Sequence, residues 1–222
     1  MNPLIRKLIV KDLYLNRWFI AVAIVSGLLS LGIATTGRIG FNVGALCWMT
    51  VIVALGVLLP MYGVVNERKE RSMLFVLSLP ISGADYVRAK LCGLLLCFLL
   101  PWLALSAGAI GLVVASDAIP DGLLPFVSLL CGFLLVNFGF VLVGALLTRS
   151  EAVMGAIIIG TNMAVTLYFF LLGGLPQINA YLTGSRPVWN STVWLIFSLQ
   201  GAVLIATFAL CLLVARHRRA FI

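Results

Sequence analysis

The side chains that most often catalyse reactions or bind metals are scarce in this chain and stand in no recognised arrangement. His217 is the only histidine, and it lies in a basic tail with no nearby carboxylate to orient it. The sequence contains no GxxxxGK[ST] phosphate loop, no HExxH and no GxSxG. We therefore predict no catalytic residue, no metal ligand and no ATP site in this chain.

The charged segment 67–90 carries the most informative chemistry. Apolar residues recur at helical spacing in its first half. Pro80 ends that half because proline disfavours helix in the residue before it. Ser82 stands three residues before Asp85, an acidic variant of the capping box, which predicts a second helix that continues through Lys90. We predict a hairpin of two short helices that could transmit a push; a solvated charged loop is the alternative.

The elements that must position this hairpin are membrane spans. With 63% hydrophobic and 10% charged residues, and a mean hydropathy of +1.17, the chain has more apolar surface than a soluble core of its size could bury. Uncharged stretches long enough to cross a bilayer separate the charged clusters. They predict an all-α membrane protein with spans over residues 18–37, 41–66, 91–116, 122–148, 152–174 and 191–215. Pro60 and Pro101 fall inside spans and predict local distortion there.

The distribution of Lys and Arg predicts the orientation of these spans. When the chain crosses the membrane six times, only Arg38 and Arg186 fall on one side of it. The other side, which we predict to be cytoplasmic together with both termini, holds Arg6, Lys7, Lys11, Arg17, Arg68, Lys69, Arg71, Arg88, Lys90, Arg149, Arg216, Arg218 and Arg219. The net charge of +8 then faces anionic lipid or an acidic partner. Nucleic-acid binding is disfavoured because the sequence offers no soluble domain to hold a groove.

Residues 1–17 form an amphipathic segment before the first span, which predicts a helix that lies along the inner leaflet. Asp12 falls in the middle of its apolar arc, an unfavourable place for a carboxylate that faces lipid. Either Asp12 pairs with a base on another segment, or the helix packs on protein. On the other side of the membrane, residues 175–190 predict an outer loop, either plain or folded as short re-entrant helices.

Polar side chains inside the later spans are few and uncharged. Carriers driven by ions usually need intramembrane carboxylates or histidines, so a secondary transporter is disfavoured. The polar groups could line a path for an apolar or amphipathic substrate, or could bond one helix to another. They are Asn137, Thr161, Asn162 and Thr166.

The segment 67–90 resembles the permease subunits of type-2 ABC exporters. The resemblance rests on Glu67-Arg-Lys-Glu-Arg-Ser72, then Leu77-Ser-Leu-Pro-Ile-Ser82 and Tyr86-Val-Arg-Ala-Lys90, placed between the second and third of six spans. The amphipathic start, Leu8-Ile-Val-Lys-Asp-Leu13 with Asn16-Arg17, strengthens it. Similar proteins often have Gly-Thr where this chain has Arg71-Ser72.

The resemblance implies a membrane subunit that pairs with a second copy or a homologous chain and with a dimer of ATPase subunits, which carry the ATP and Mg²⁺. It implies that the ATPase docks on Glu67, Arg71, Leu77, Pro80 and Ser82. It also implies a connecting helix that contains Lys7, Lys11, Asp12 and Arg17. The resulting hypothesis is the inner-membrane permease of an ATP-driven exporter. A scaffold or regulatory subunit of an envelope complex is the alternative.

Overall fold

The computed structural model describes residues 3–69, 83–116 and 119–217. Every secondary-structure element in those ranges is helical, and six of the helices are long and apolar enough to cross a membrane. The prediction of an all-α fold with six spans is thus confirmed. The helices are α1 (Pro3–Ala34), α2 (Arg38–Pro60), α3 (Glu67–Lys69), α4 (Gly83–Ala115), α5 (Leu124–Leu147), α6 (Glu151–Gly174), α7 (Pro176–Asn179) and α8 (Ser191–His217).

The start of the chain differs from the prediction. We predicted an inner-leaflet helix over residues 1–17 and a separate span over residues 18–37, whereas α1 is one unbroken helix of 32 residues. No proline or glycine lies between Pro3 and Gly27, so no residue interrupts the backbone hydrogen bonds. A helix of this length is about 48 Å long and exceeds the roughly 30 Å apolar core of a bilayer. Its first turns therefore extend the span.

The second span changes its helical geometry at Pro60, where the sequence predicts a distortion. α2 ends at Pro60, and a π-helical segment, Met61–Asn66, continues it into α3. Proline lacks an amide hydrogen, and π-helical turns often accommodate such an interruption. In contrast, α4 remains α-helical on both sides of Pro101.

Helix α5 is the centre of the bundle and packs against α2, α4, α6 and α8. Its side chains fill the core, and Phe138 stacks on Phe98 of α4 with 4.0 Å between ring centroids. Gln200 of α8 donates hydrogen bonds to the carbonyl oxygen of Leu129 and to the hydroxyl of Tyr168 on α6, at 2.9 and 2.6 Å. These contacts join α5, α6 and α8, while α1 packs on α2 and α4.

A short turn after α1 and a longer segment after α6 lie at the end of the bundle opposite to the N-terminus. Gly37, with φ of 110°, adopts a backbone conformation that favours glycine and reverses the chain between α1 and α2. Residues 175–190 contain α7 and fold over the ends of α5, α6 and α8. Ile178 is buried in a cluster with Phe126 of α5, Leu172 of α6 and Val193 of α8.

Candidate functional site: a charge cluster and an apolar groove

A group of ionisable side chains joins three helices at the end of the bundle where α1 begins. Lys90 of α4 places its Nζ 2.8 Å from Asp12 Oδ1 and 2.9 Å from Glu67 Oε1. Lys11 Nζ lies 3.2 Å from the same Glu67 oxygen, and Tyr86 donates a long hydrogen bond of 3.4 Å to Glu67 Oε2. We call Lys11, Asp12, Glu67, Tyr86 and Lys90 the charge cluster.

The charge cluster contains ions that are withdrawn from solvent. The side chains of Asp12 and Lys90 are each 3% exposed, although Asp and Lys are almost never fully buried unless paired. Close helix packing creates this burial, since a Cβ atom on Gly93 of α4 would lie 2.9 Å from Asp12 Oδ2. Among the described residues, that oxygen has no hydrogen-bond partner. Both readings of Asp12 are confirmed: it pairs with a base on another segment, and its helix packs on protein.

The two residues after Glu67 connect α3 to the other half of the bundle. Arg68 donates hydrogen bonds to the carbonyl oxygens of Leu146, at 2.9 Å, and Thr148, at the C-terminal end of α5. A guanidinium is favourable there because the last carbonyls of a helix lack partners and carry partial negative charge. Lys69 pairs with Glu151 in the first turn of α6, at 3.0 Å. Consecutive residues of α3 thus contact α1, α4, α5 and α6.

The structure places the predicted coupling residues only in part. Glu67 lies in the charge cluster, whereas Arg71, Leu77, Pro80 and Ser82 lie outside the described residues. α4 begins at Gly83 and runs through Lys90 without a break.

The residues assigned to the connecting helix all lie on α1 and divide into two pairs. Lys11 and Asp12 belong to the charge cluster, whereas Lys7 and Arg17 are exposed. Arg17 covers the ring of Tyr14, with 4.2 Å between its guanidinium carbon and the ring centroid. Only the first pair therefore contacts α3 and α4 through side-chain charges.

An apolar groove of about 830 Å³ opens near the other end of the bundle. Parts of α1, α2, α4, α5 and α6 line it, together with Leu123 and Leu182, and none of the lining residues is charged. A groove of this volume falls within the range of small-molecule sites. Its polar lining residues are Asn42, Trp48, Thr50, Asn162 and Thr166, and the indole of Trp48 donates to the carbonyl oxygen of Leu105.

The groove includes half of the residues predicted for a translocation path. Asn162 and Thr166 lie one helical turn apart on α6 and line it. Asn137 is buried inside the bundle on α5, and Thr161 donates a hydrogen bond to the carbonyl oxygen of Ile158 within α6. Neither of these two lines the groove.

Sequence reasoning missed several residues of both sites. Asn42 and Thr50 line the groove from α2, but the predicted path considered only the later spans. Lys90 was assigned no role beyond the start of the third span. The carboxylate of Asp12 in the apolar arc was the available signal, because a base on another segment was one of its two explanations.

The fold and these sites define a multi-pass helical membrane protein in which the ion pairs of the described residues lie at one end. The chain matches the family described as ABC-2 family transporter protein over residues 7–214. This match covers nearly all of the described bundle, and the chain belongs to that family. Its members are membrane permease subunits, distinct from the ATPase, and membership implies association with an ABC ATPase. No curated protein and no solved structure matches the chain.

Proposed function

We propose that this chain is the permease of an ATP-driven exporter in the inner membrane, with both termini in the cytoplasm. It forms the path for a hydrophobic or amphipathic substrate together with a second copy or a homologous chain. A separate ATPase dimer, which holds the ATP and Mg²⁺, drives it through residues 67–90. The observation that carries the proposal is the charge cluster at the start of this segment.

The charge cluster supports coupling because it connects the segment to several spans at once. Glu67 is bonded to residues of α1 and α4, and Arg68 to the end of α5. A displacement of residues 70–82 would therefore act on the bundle through short, ionic contacts. A charged loop that serves only solubility would not require such contacts.

The groove supports the substrate class. An uncharged lining favours apolar ligands, and the amide of Asn162 and hydroxyl of Thr166 could bond a single polar group. A multiply charged substrate would lose its hydration there without compensation.

Blocking the groove tests the proposed path. Thr166→Trp should fill the groove and abolish ATP-driven uptake of rhodamine 6G and an NBD-labelled phospholipid by inverted vesicles, with the ATPase still bound. Leu167→Trp, at an adjacent side chain that does not line the groove, is the matched control and should leave uptake unchanged. If Thr166→Trp vesicles took up as much substrate as Leu167→Trp vesicles, the proposed path would be contradicted. Uptake without ATP would contradict an ATP-driven exporter.

A further inference from the structure

Lys90 is a buried cation that connects three separate elements of the bundle. It lies on α4, and its Nζ contacts Asp12 of α1 and Glu67 of α3 at 2.8 and 2.9 Å. We propose that Lys90 is a positioning residue that fixes Glu67 against α1 and α4, so that movement of the segment after Lys69 moves these two helices. This inference rests on the proposed coupling to an ATPase.

Stability alone does not account for a buried ion pair at this position. Removing two charges from water is costly, and well-packed apolar residues of similar volume often serve stability equally well or better. The pair also leaves Asp12 Oδ2 without a hydrogen-bond partner among the described residues. A role that depends on the charges themselves explains why such a pair lies where three elements meet.

The other ion pairs of α3 are more exposed and resist displacement less. In the pair of Lys11 with Glu67, the lysine side chain is 40% exposed, and in the pair of Lys69 with Glu151 the side chains are 52% and 71% exposed. Water can replace either partner of such a pair at small cost. The contact between Glu67 and Lys90 is better protected from water, because its side chains are only 15% and 3% exposed, so separating them costs more. Among the ion pairs of the described residues, the contact with Lys90 is therefore the best protected one through which α3 can pull or push α1 and α4.

Two double substitutions remove the charges without leaving one of them unpaired. Asp12→Leu with Lys90→Met replaces the pair by apolar side chains of similar size, and Asp12→Asn with Lys90→Gln keeps hydrogen-bonding groups. Either combination tests the proposal if the other fails to insert. Gln200→Leu, which also removes a buried polar contact between spans, is the matched control.

The measurement is a distance across the outer end of the bundle, which needs no knowledge of the substrate. Nitroxide labels at Ile39→Cys on α2 and Leu171→Cys on α6 occupy exposed positions, in a chain whose exposed Cys47 and Cys92 are replaced by serine. Double electron–electron resonance compares the complex with its ATPase before and after addition of the ATP analogue AMP-PNP.

The wild type and the Gln200→Leu control should show a distance shift on addition of the analogue. The double variants should retain the ATPase but lose the shift. A wild-type shift in the double variants, or loss of the ATPase from them, would overturn the role of Lys90 and leave the proposed function standing. A wild type without a bound ATPase, or without any shift, would overturn the proposed coupling and the role of Lys90 together.

Discussion

Arg68 and Lys69 are adjacent cations whose different surroundings predict different contributions to stability. Arg68 is half-buried and bonds to two carbonyl oxygens at the end of α5, whereas Lys69 forms an exposed pair with Glu151. Planar guanidinium groups suit such paired acceptors, and the carbonyls lose their partner if the group is removed. Exposed ion pairs contribute little because water and salt screen them.

Arg68→Ala should therefore lower the free energy of unfolding by about 1–3 kcal/mol, as expected for the loss of hydrogen bonds from a charged donor. Lys69→Ala should change it by about 0.5 kcal/mol or less. Titration with SDS in mixed micelles, followed by circular dichroism, measures both variants. Equal losses for the two would contradict the contacts assigned to Arg68.

At the scale of elements, the approach of α1 to α2 depends on a glycine. A Cβ atom at Gly44 would lie 2.5 Å from the carbonyl oxygen of Ser30 and 2.6 Å from the amide nitrogen of Ala34. Backbone atoms cannot move aside as a flexible side chain can, so any larger residue must separate the two helices.

Gly44→Val should accordingly cost about 1–3 kcal/mol of stability by overpacking. Gly32 lies on α1 with no atom within 4 Å of an added Cβ, so Gly32→Val is the matched control and should cost far less. The same SDS titration compares them, and a similar loss from both substitutions would show that the helices are not in close contact at Gly44.

The sequence predicted the helices better than their contacts. The spans were predictable because long uncharged stretches have few alternatives to crossing a bilayer. The continuity of α1 was not, since an apolar arc has the same periodicity whether it faces lipid or neighbouring helices. The partner of Asp12 depended on helix packing, because Arg68, Lys69, Arg88 and Lys90 were all available cations. The groove likewise depends on how five helices diverge, which the sequence does not reveal.

At the scale of the whole molecule, the asymmetric distribution of charge predicts a single orientation. The end of the bundle that contains Arg38 and Arg186 carries few cations. The opposite end, which contains the charge cluster, carries many. Positively charged loops stay in the cytoplasm. Both termini and α3 should therefore face the cytoplasm, where an ATPase could reach residues 67–90.

Reporter fusions test this orientation in bacterial cells. Green fluorescent protein at the C-terminus should fluoresce, because it matures in the cytoplasm, and alkaline phosphatase inserted after Gly184 should be active, because it requires the periplasm. A dark C-terminal fusion with an inactive phosphatase would contradict the orientation. A green fluorescent protein insertion after Gly184 is the matched control and should be dark.

The most direct test of the central claim is which protein copurifies with the chain. The tagged wild type, extracted in detergent from its native host, should bring with it a protein that contains a phosphate-binding loop, identified by mass spectrometry. Leu77→Asp should insert normally but lose that protein, because the substitution places a charge in the predicted docking segment. Recovery of the wild type without an ATPase, or undiminished copurification with Leu77→Asp, would contradict the coupling through residues 67–90.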